Sequence, residues 1–229
     1  MPVSAPLRAL SALVGLPLLL FALITWQVLA DGPLVRVDER LSGALVHPDR
    51  LSELLSDLGN VQVAVPVLVV ALAYVAWHGR ATGVDLWWLP PLAGALAMVL
   101  VPALVAPLKE WTDRPGTPAV PPATGYYPSG HTATAVVAYG TAALLLLGRL
   151  RSPAVRRALL VLCAVLVLGT SYGLVRRGYH WPLDVVASWC LGVALLAGVR
   201  QVDRRTPRDV SRSTRRSSSG TPSSSNGPS

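Results

Sequence analysis

Along this chain, long apolar stretches are separated by short polar ones. Six stretches, roughly 8–30, 60–78, 86–108, 131–148, 157–175 and 183–199, are apolar almost throughout. About 20 mostly apolar residues carry an α-helix across the hydrocarbon of a bilayer. The pattern therefore predicts an all-α, polytopic membrane protein: a six-transmembrane-helix bundle. Trp26, Trp77, Trp87, Trp88 and Trp181 fall near the ends of runs, where indole rings sit at headgroup level. The first run ends in VLADG (28–32), which resembles a signal-peptidase site. A secretory apolar region spans roughly 7–15 residues, and this run is longer, so it reads as a retained anchor.

Composition agrees with this picture. Hydrophobic residues make up 52% of the chain and charged residues only 14%, against about a quarter charged in soluble domains. Three regions follow: an N-terminal span with an outer amphipathic loop (1–59), a core of five spans (60–200), and an Arg/Ser-rich tail (201–229). From about Arg212 the tail has almost no apolar residues. It cannot bury a core and is expected to be disordered.

Charge sets the orientation. Six spans put both termini on one side, together with Arg8, Arg80, the cluster Arg149, Arg151, Arg156 and Arg157, and the Arg-rich start of the tail. The opposite side holds 31–59, 109–130 and 176–182. Short-loop arginines favour the cytoplasm. The expectation is a multi-pass protein of the cell membrane with cytoplasmic termini and an outward-facing, extracytoplasmic site. The net charge of +8 does not call for nucleic acid, because the basic tail adjoins a membrane exit, where anionic lipid is the nearer partner. Cys163 and Cys190 both lie inside apolar runs and read as packing residues.

Three polar motifs stand out against this background. LKEWTDRPGTP (108–118) contains Lys109, the one lysine beside nineteen arginines, at the end of a span. Lys109 and Arg114 make a cationic cluster there. GYYPSGH (125–131) combines a turn at Pro128, a helix cap at Ser129 and a small residue at Gly130. The exposed N–H groups of such a helix start attract an anion, and His131 falls on the first turn. In RRGYHWPLDVV (176–186), Pro182 suits a first helical turn. His180 and Asp184, four apart, can then share a face. A carboxylate there fixes the imidazole tautomer and leaves the other nitrogen as base or nucleophile. An acid this close to the centre of a span points to function. Two histidines, one with a carboxylate orienter, beside cations and a helix start suit phosphoryl transfer to an imidazole. No Cys/His/Asp group has zinc-ligand spacing, so neither metal nor cofactor is expected.

These residues resemble the type 2 phosphatidic acid phosphatase family, the membrane branch of the vanadium-haloperoxidase-like phosphatases, over roughly 60–200. The resemblance rests on Lys109 with Arg114-Pro115, on Pro128-Ser129-Gly130-His131, and on His180 with Asp184. It implies a metal-independent six-helix core that removes phosphate from lipids. His180 would form the phosphohistidine, Asp184 would orient it, and His131 would protonate the leaving oxygen. Lys109, Ser129 and Gly130 would bind the phosphate. The sequence departs from the family at two places. The family's Arg-Pro follows its lysine after six residues; here four intervene, and Gly116-Thr117 occupy the usual places. The family's Ser-Arg before the last histidine is Gly173-Leu174 here, with Arg176 and Arg177 the nearest arginines. Arg114, Arg176 and Arg177 are therefore the candidate replacement clamps.

The resulting reading is a lipid phosphate or diphosphate phosphatase, with polyprenyl diphosphate as the leading substrate and membrane lipids as its partners. Two alternatives remain at this stage: a phosphotransferase using the same histidine with an alcohol acceptor, and a decayed, non-catalytic scaffold. Oligomeric state is not encoded in any of these features.

Overall fold

The computed structural model describes residues 5–206, with side chains from Val14 onward. The side chain of Arg8 and the tail beyond residue 206, including its expected disorder, lie outside what is described. The elements among them are all helical: α1 (Ala5–Leu29), α2 (Pro33–Leu45), α3 (Arg50–Asp57), α4 (Val61–Ala81), α5 (Leu89–Thr112), α6 (Gly130–Leu147), α7 (Pro153–Arg176) and α8 (Pro182–Arg205). Five of them, α4 to α8, are long and apolar enough to cross a membrane. Val14–Leu29 joined to α2 raises the count to as many as six, but this pair is bent by 87°.

Local chemistry explains where the helices begin. Proline occupies a first-turn position in α2, α5, α7 and α8, where its missing N–H has no partner to lose. Ser129 and Ser152 cap α6 and α7 by accepting from Thr132 N and Val155 N. Asp49 caps α3, accepting from Ser52 N at 2.7 Å while Ser52 Oγ accepts from Asp49 N.

At the centre, α6 packs against α4, α5, α7 and α8, while α1 packs on α8 and α3 on α7. Small residues permit this closeness, as is usual between membrane helices. A Cβ on Gly192 would lie 2.4 Å from Val136 Cγ1, and one on Gly173 would lie 2.5 Å from the Ser56 backbone nitrogen. Leu68, Val75, Val101, Val137 and Leu145 fill the interior. The outer faces are equally apolar: Val70, Val99 and Val161 are all well exposed, as expected where lipid is the neighbour.

The outer loop expected before residue 60 is two short amphipathic helices. On α2, Val35, Asp38 and Ser42 face inward, whereas Leu34, Val37, Leu41 and Leu45 are exposed. The inward residues lie beside that apolar stripe, and the charged Arg36, Glu39 and Arg40 are exposed as well. The five long passes alternate in direction, which brings the starts of α4, α6 and α8 and the ends of α5 and α7 to one end. Asn60, Lys109, His131 and His180 all belong to that end.

Candidate active site

The start of α8 is the most densely bonded part of this end. Asp184, in its first turn, is fully buried. Its Oδ2 accepts from His180 Nδ1 at 3.2 Å and from the Trp181 backbone N–H at 3.1 Å. Its Oδ1 accepts from Arg114 Nη1 at 2.6 Å. A carboxylate can only accept from Nδ1–H, so the imidazole is held as the Nδ1 tautomer and Nε2 lies on the far side of the ring. The Tyr126 and His180 rings meet in a T-shaped contact, with centroids 5.9 Å apart. The chain reaches His180 through Gly178, whose φ of +74° turns it out of α7 into a region that glycine enters without penalty. Thr117 Oγ1 donates to the Gly178 carbonyl and ties this turn to the loop after α5.

Two further strands of the network hold the α6 start beside it. Ser129 N donates to the Asp184 carbonyl at 3.2 Å, and Ser188 Oγ donates to the Ser129 carbonyl at 2.8 Å. Ser129 is itself buried, its hydroxyl capping α6. Tyr127, just upstream, is buried with its hydroxyl 2.7 Å from Thr25 Oγ1, which fastens the loop to α1. In the first turn of α6, His131 Nε2 lies 2.7 Å from Asn60 Oδ1. Asn60 Nδ2 donates to Asp57 Oδ1 at 3.0 Å. That second bond orients the amide, so Asn60 accepts and His131 Nε2–H donates. Lys109, in the last turn of α5, donates to the Gly125 carbonyl at 2.7 Å, and its ammonium lies 5.9 Å from the Tyr126 ring centre.

The arginines are committed differently. Arg114 is buried, forks between Asp184 and Asp38 (2.7 Å to Oδ2), and stacks over Trp181. Arg176 pairs with Asp49 at 2.8 Å and lies over Tyr172. Arg177 Nη2 donates to the Tyr179 hydroxyl at 3.0 Å, and Nη1 lies 3.9 Å from Glu53. The two positions where the resemblance expects arginine are closed by packing. A Cβ on Gly116 would come within 2.6 Å of Val120 Cγ2 and 2.8 Å of Tyr126 Cε2. Leu174 is 1% exposed.

Two residues in this network were not singled out from the sequence, Asp38 and Asn60. Both lie in a stretch rich in polar residues, where one more carboxylate or amide has no contrast. A signal for Asp38 was nevertheless present: at helical spacing it borders the stripe of Leu34, Val37, Leu41 and Leu45, away from the other charged residues Arg36, Glu39 and Arg40. Among the described residues, no group of three or more His, Cys, Asp or Glu side chains is placed to hold a metal ion.

Comparison with known proteins assigns the fold and the family. The chain is 33% identical, over 78% of its own length and 74% of the relative's, to an undecaprenyl-diphosphatase of Sulfolobus acidocaldarius. Its fold matches the crystal structure of a transmembrane PAP2-type phosphatidylglycerolphosphate phosphatase from Bacillus subtilis. That match has a TM-score of 0.67 and 25% identity, covering 84% of this chain and 98% of the other. The family model of the PAP2 superfamily matches residues 90–208, the stretch holding Lys109, the capped start of α6 and the His180–Asp184 pair, and the chain belongs to that superfamily.

Proposed function

We propose that the protein is a membrane lipid phosphatase that hydrolyses a lipid phosphate or diphosphate at the end of the bundle carrying His131 and His180. The observation that carries this reading is a groove of about 630 Å³ that starts at Lys109 and His131 and runs between α4 and α5. Its walls are apolar, including Val65, Met98, Val101 and Val105. A polar mouth on an apolar trough fits a charged headgroup with a hydrocarbon tail. The two similar proteins act on an undecaprenyl diphosphate and a phosphatidylglycerolphosphate by name, and a polyprenyl diphosphate is the leading substrate here.

In this reading His180 Nε2 attacks phosphorus. A P–N bond forms, the bond from that phosphorus to the leaving oxygen breaks (the lipid alcohol oxygen of a monophosphate, or the bridging oxygen of a diphosphate, which leaves as the lipid monophosphate), and His131 passes a proton to the departing oxygen. Water then attacks the phosphohistidine, His131 takes its proton, and the P–N bond breaks to release inorganic phosphate. Asp184 stabilises the charge that develops on the His180 ring. Lys109 and the N–H groups around Gly130 and His131 hold the phosphoryl oxygens. Arg114 serves the carboxylates, while Arg176 and Arg177 fasten α7 to α3 and to its own turn. The site faces the extracytoplasmic side of the cell membrane.

The test is phosphate release by purified protein from polyprenyl diphosphate, phosphatidylglycerolphosphate and phosphatidic acid in mixed micelles, with and without chelator. Release that persists in chelator and disappears in His180→Ala is expected. Metal-dependent release, or full turnover in His180→Ala, would sink the phosphohistidine mechanism.

A further inference from the structure

The buried contact between Asp38 and Arg114 is not explained by the chemistry above. Asp38 lies on α2, an element outside the matched family region, yet it is 2% exposed and touches the catalytic network at two points. Oδ2 accepts from Arg114 Nη2 at 2.7 Å. Oδ1 accepts from the Leu183 backbone N–H at 2.9 Å, in the first turn of α8. Arg114 in turn donates to Asp184 Oδ1 from its other terminal nitrogen. A planar guanidinium that spans two carboxylates has one allowed orientation, which an ammonium could not reproduce. The ring of Trp181 beneath it removes the remaining freedom, and Trp181 Nε1 is anchored to the Pro115 carbonyl at 2.9 Å.

We propose that Asp38 is a positioning residue for the phosphatase reaction: through Arg114 and the Leu183 N–H it fixes the carboxylate of Asp184, and with it the ring of His180. This rests on the reading of His180 as nucleophile and Asp184 as its orienter. The argument combines charge with geometry. Two carboxylates and one guanidinium leave the cluster with one net negative charge. Without Asp38, Arg114 would lose its second carboxylate, and with it the single orientation in which it meets Asp184 Oδ1. Charged and titratable groups also reach this centre from the other elements: Lys109 of α5 acts on Asp184, and His131 of α6 acts on His180. Tyr126 meets the His180 ring in a T-shaped contact. Only Asp38 enters from α2.

Asp38→Asn keeps the acceptor for Leu183 N–H and removes the charge, so it separates positioning from folding. The expected result is a fall in kcat of roughly 10- to 100-fold, the scale of a small misplacement of a reacting group, with KM little changed. Asp38→Glu, which restores the charge, should recover much of that kcat. In an Arg114→Gln background, Asp38→Asn should add little further loss. A contribution to folding alone would lower the yield or the thermal midpoint and leave the kcat of the folded fraction at its wild-type value. Wild-type kcat in Asp38→Asn, beside an inactive His180→Ala, would overturn the positioning role and leave the nucleophile standing. Full turnover in His180→Ala would overturn both. Should Asp38→Asn fail to fold, Arg114→Lys carries the test. It keeps the charge but cannot span both carboxylates, so the same loss of kcat is expected and wild-type kcat overturns the proposal.

Discussion

Arg176 and Arg177 differ from Arg114 chiefly in their surroundings. Arg114 is buried between two acids, whereas Arg176 and Arg177 are partly exposed and engage Asp49, Glu53 and tyrosine rings. Asp49 is held down to about 2, first by the Ser52 N–H and next by Arg176. Because the folded carboxyl is the stronger acid, its contribution to stability is complete above the ordinary aspartate range. That contribution is lost as pH falls through about 2. Arg176→Ala is therefore expected to lower the thermal midpoint at neutral pH by an amount that disappears near pH 2, with turnover of the folded protein within about twofold. A larger loss of turnover, with the midpoint unmoved, would make Arg176 a phosphate clamp after all. From sequence, Lys109, His131, His180 and Asp184 were readable because each is polar at the edge of an apolar run. Arg114 was readable as a cation near the site, but its partners were not, since they lie 70 and 76 residues away. Nothing local distinguishes an arginine that meets phosphate from one that meets carboxylate.

Helix by helix, the apolar runs were legible because a bilayer demands about 20 apolar residues, and few other folds do. The two short helices α2 and α3 were less so, because an amphipathic stretch in a polar loop does not say which face meets the protein. Here the answer comes from close packing. On α7, Gly173 lies where a Cβ would be 2.6 Å from the Ser52 carbonyl oxygen of α3, so the two helices touch backbone to backbone. Leu174, beside it, is buried. These are the two positions where the family resemblance expects Ser-Arg, and α3 has taken the room that a larger residue at 173 would need. Leu174→Arg is accordingly expected to bury an uncompensated charge and lose folded protein, which ranks among the most disruptive single changes. Gly173→Ala should force α3 from α7 at a cost of roughly 1–3 kcal/mol, the usual scale of overpacking. Thermal unfolding of both variants in detergent checks this. If Leu174→Arg folds normally and binds phosphate more tightly, the position is a vacant clamp site and the α3–α7 packing is not its replacement.

Across the whole molecule, charge is distributed by end. The loop between α6 and α7 carries Arg149 and Arg151, with Arg156 and Arg157 following in the first turns of α7. The opposite end gathers Asp38, Asp49, Glu53, Asp57 and Asp184 around the site. Short loops rich in arginine resist translocation, which favours a cytoplasmic α6–α7 loop and an extracytoplasmic site. The bundle links the loops, because five passes alternating in direction tie the side of every loop to every other. A single loop fixed in place therefore assigns Asn60, Lys109, His131 and His180 together. Substituted-cysteine labelling by a membrane-impermeant reagent in intact cells tests this, with Cys163 and Cys190 replaced by serine or alanine beforehand. A cysteine at Ala119, in the loop after α5, should be labelled from outside, and one at Arg151 only after the membrane is opened. The reverse pattern would turn the groove and its histidines to the cytoplasmic leaflet, and the substrate would then have to be a lipid phosphate presented there. Labelling of both from outside would break the alternation itself, and with it the assignment of these helices as successive passes.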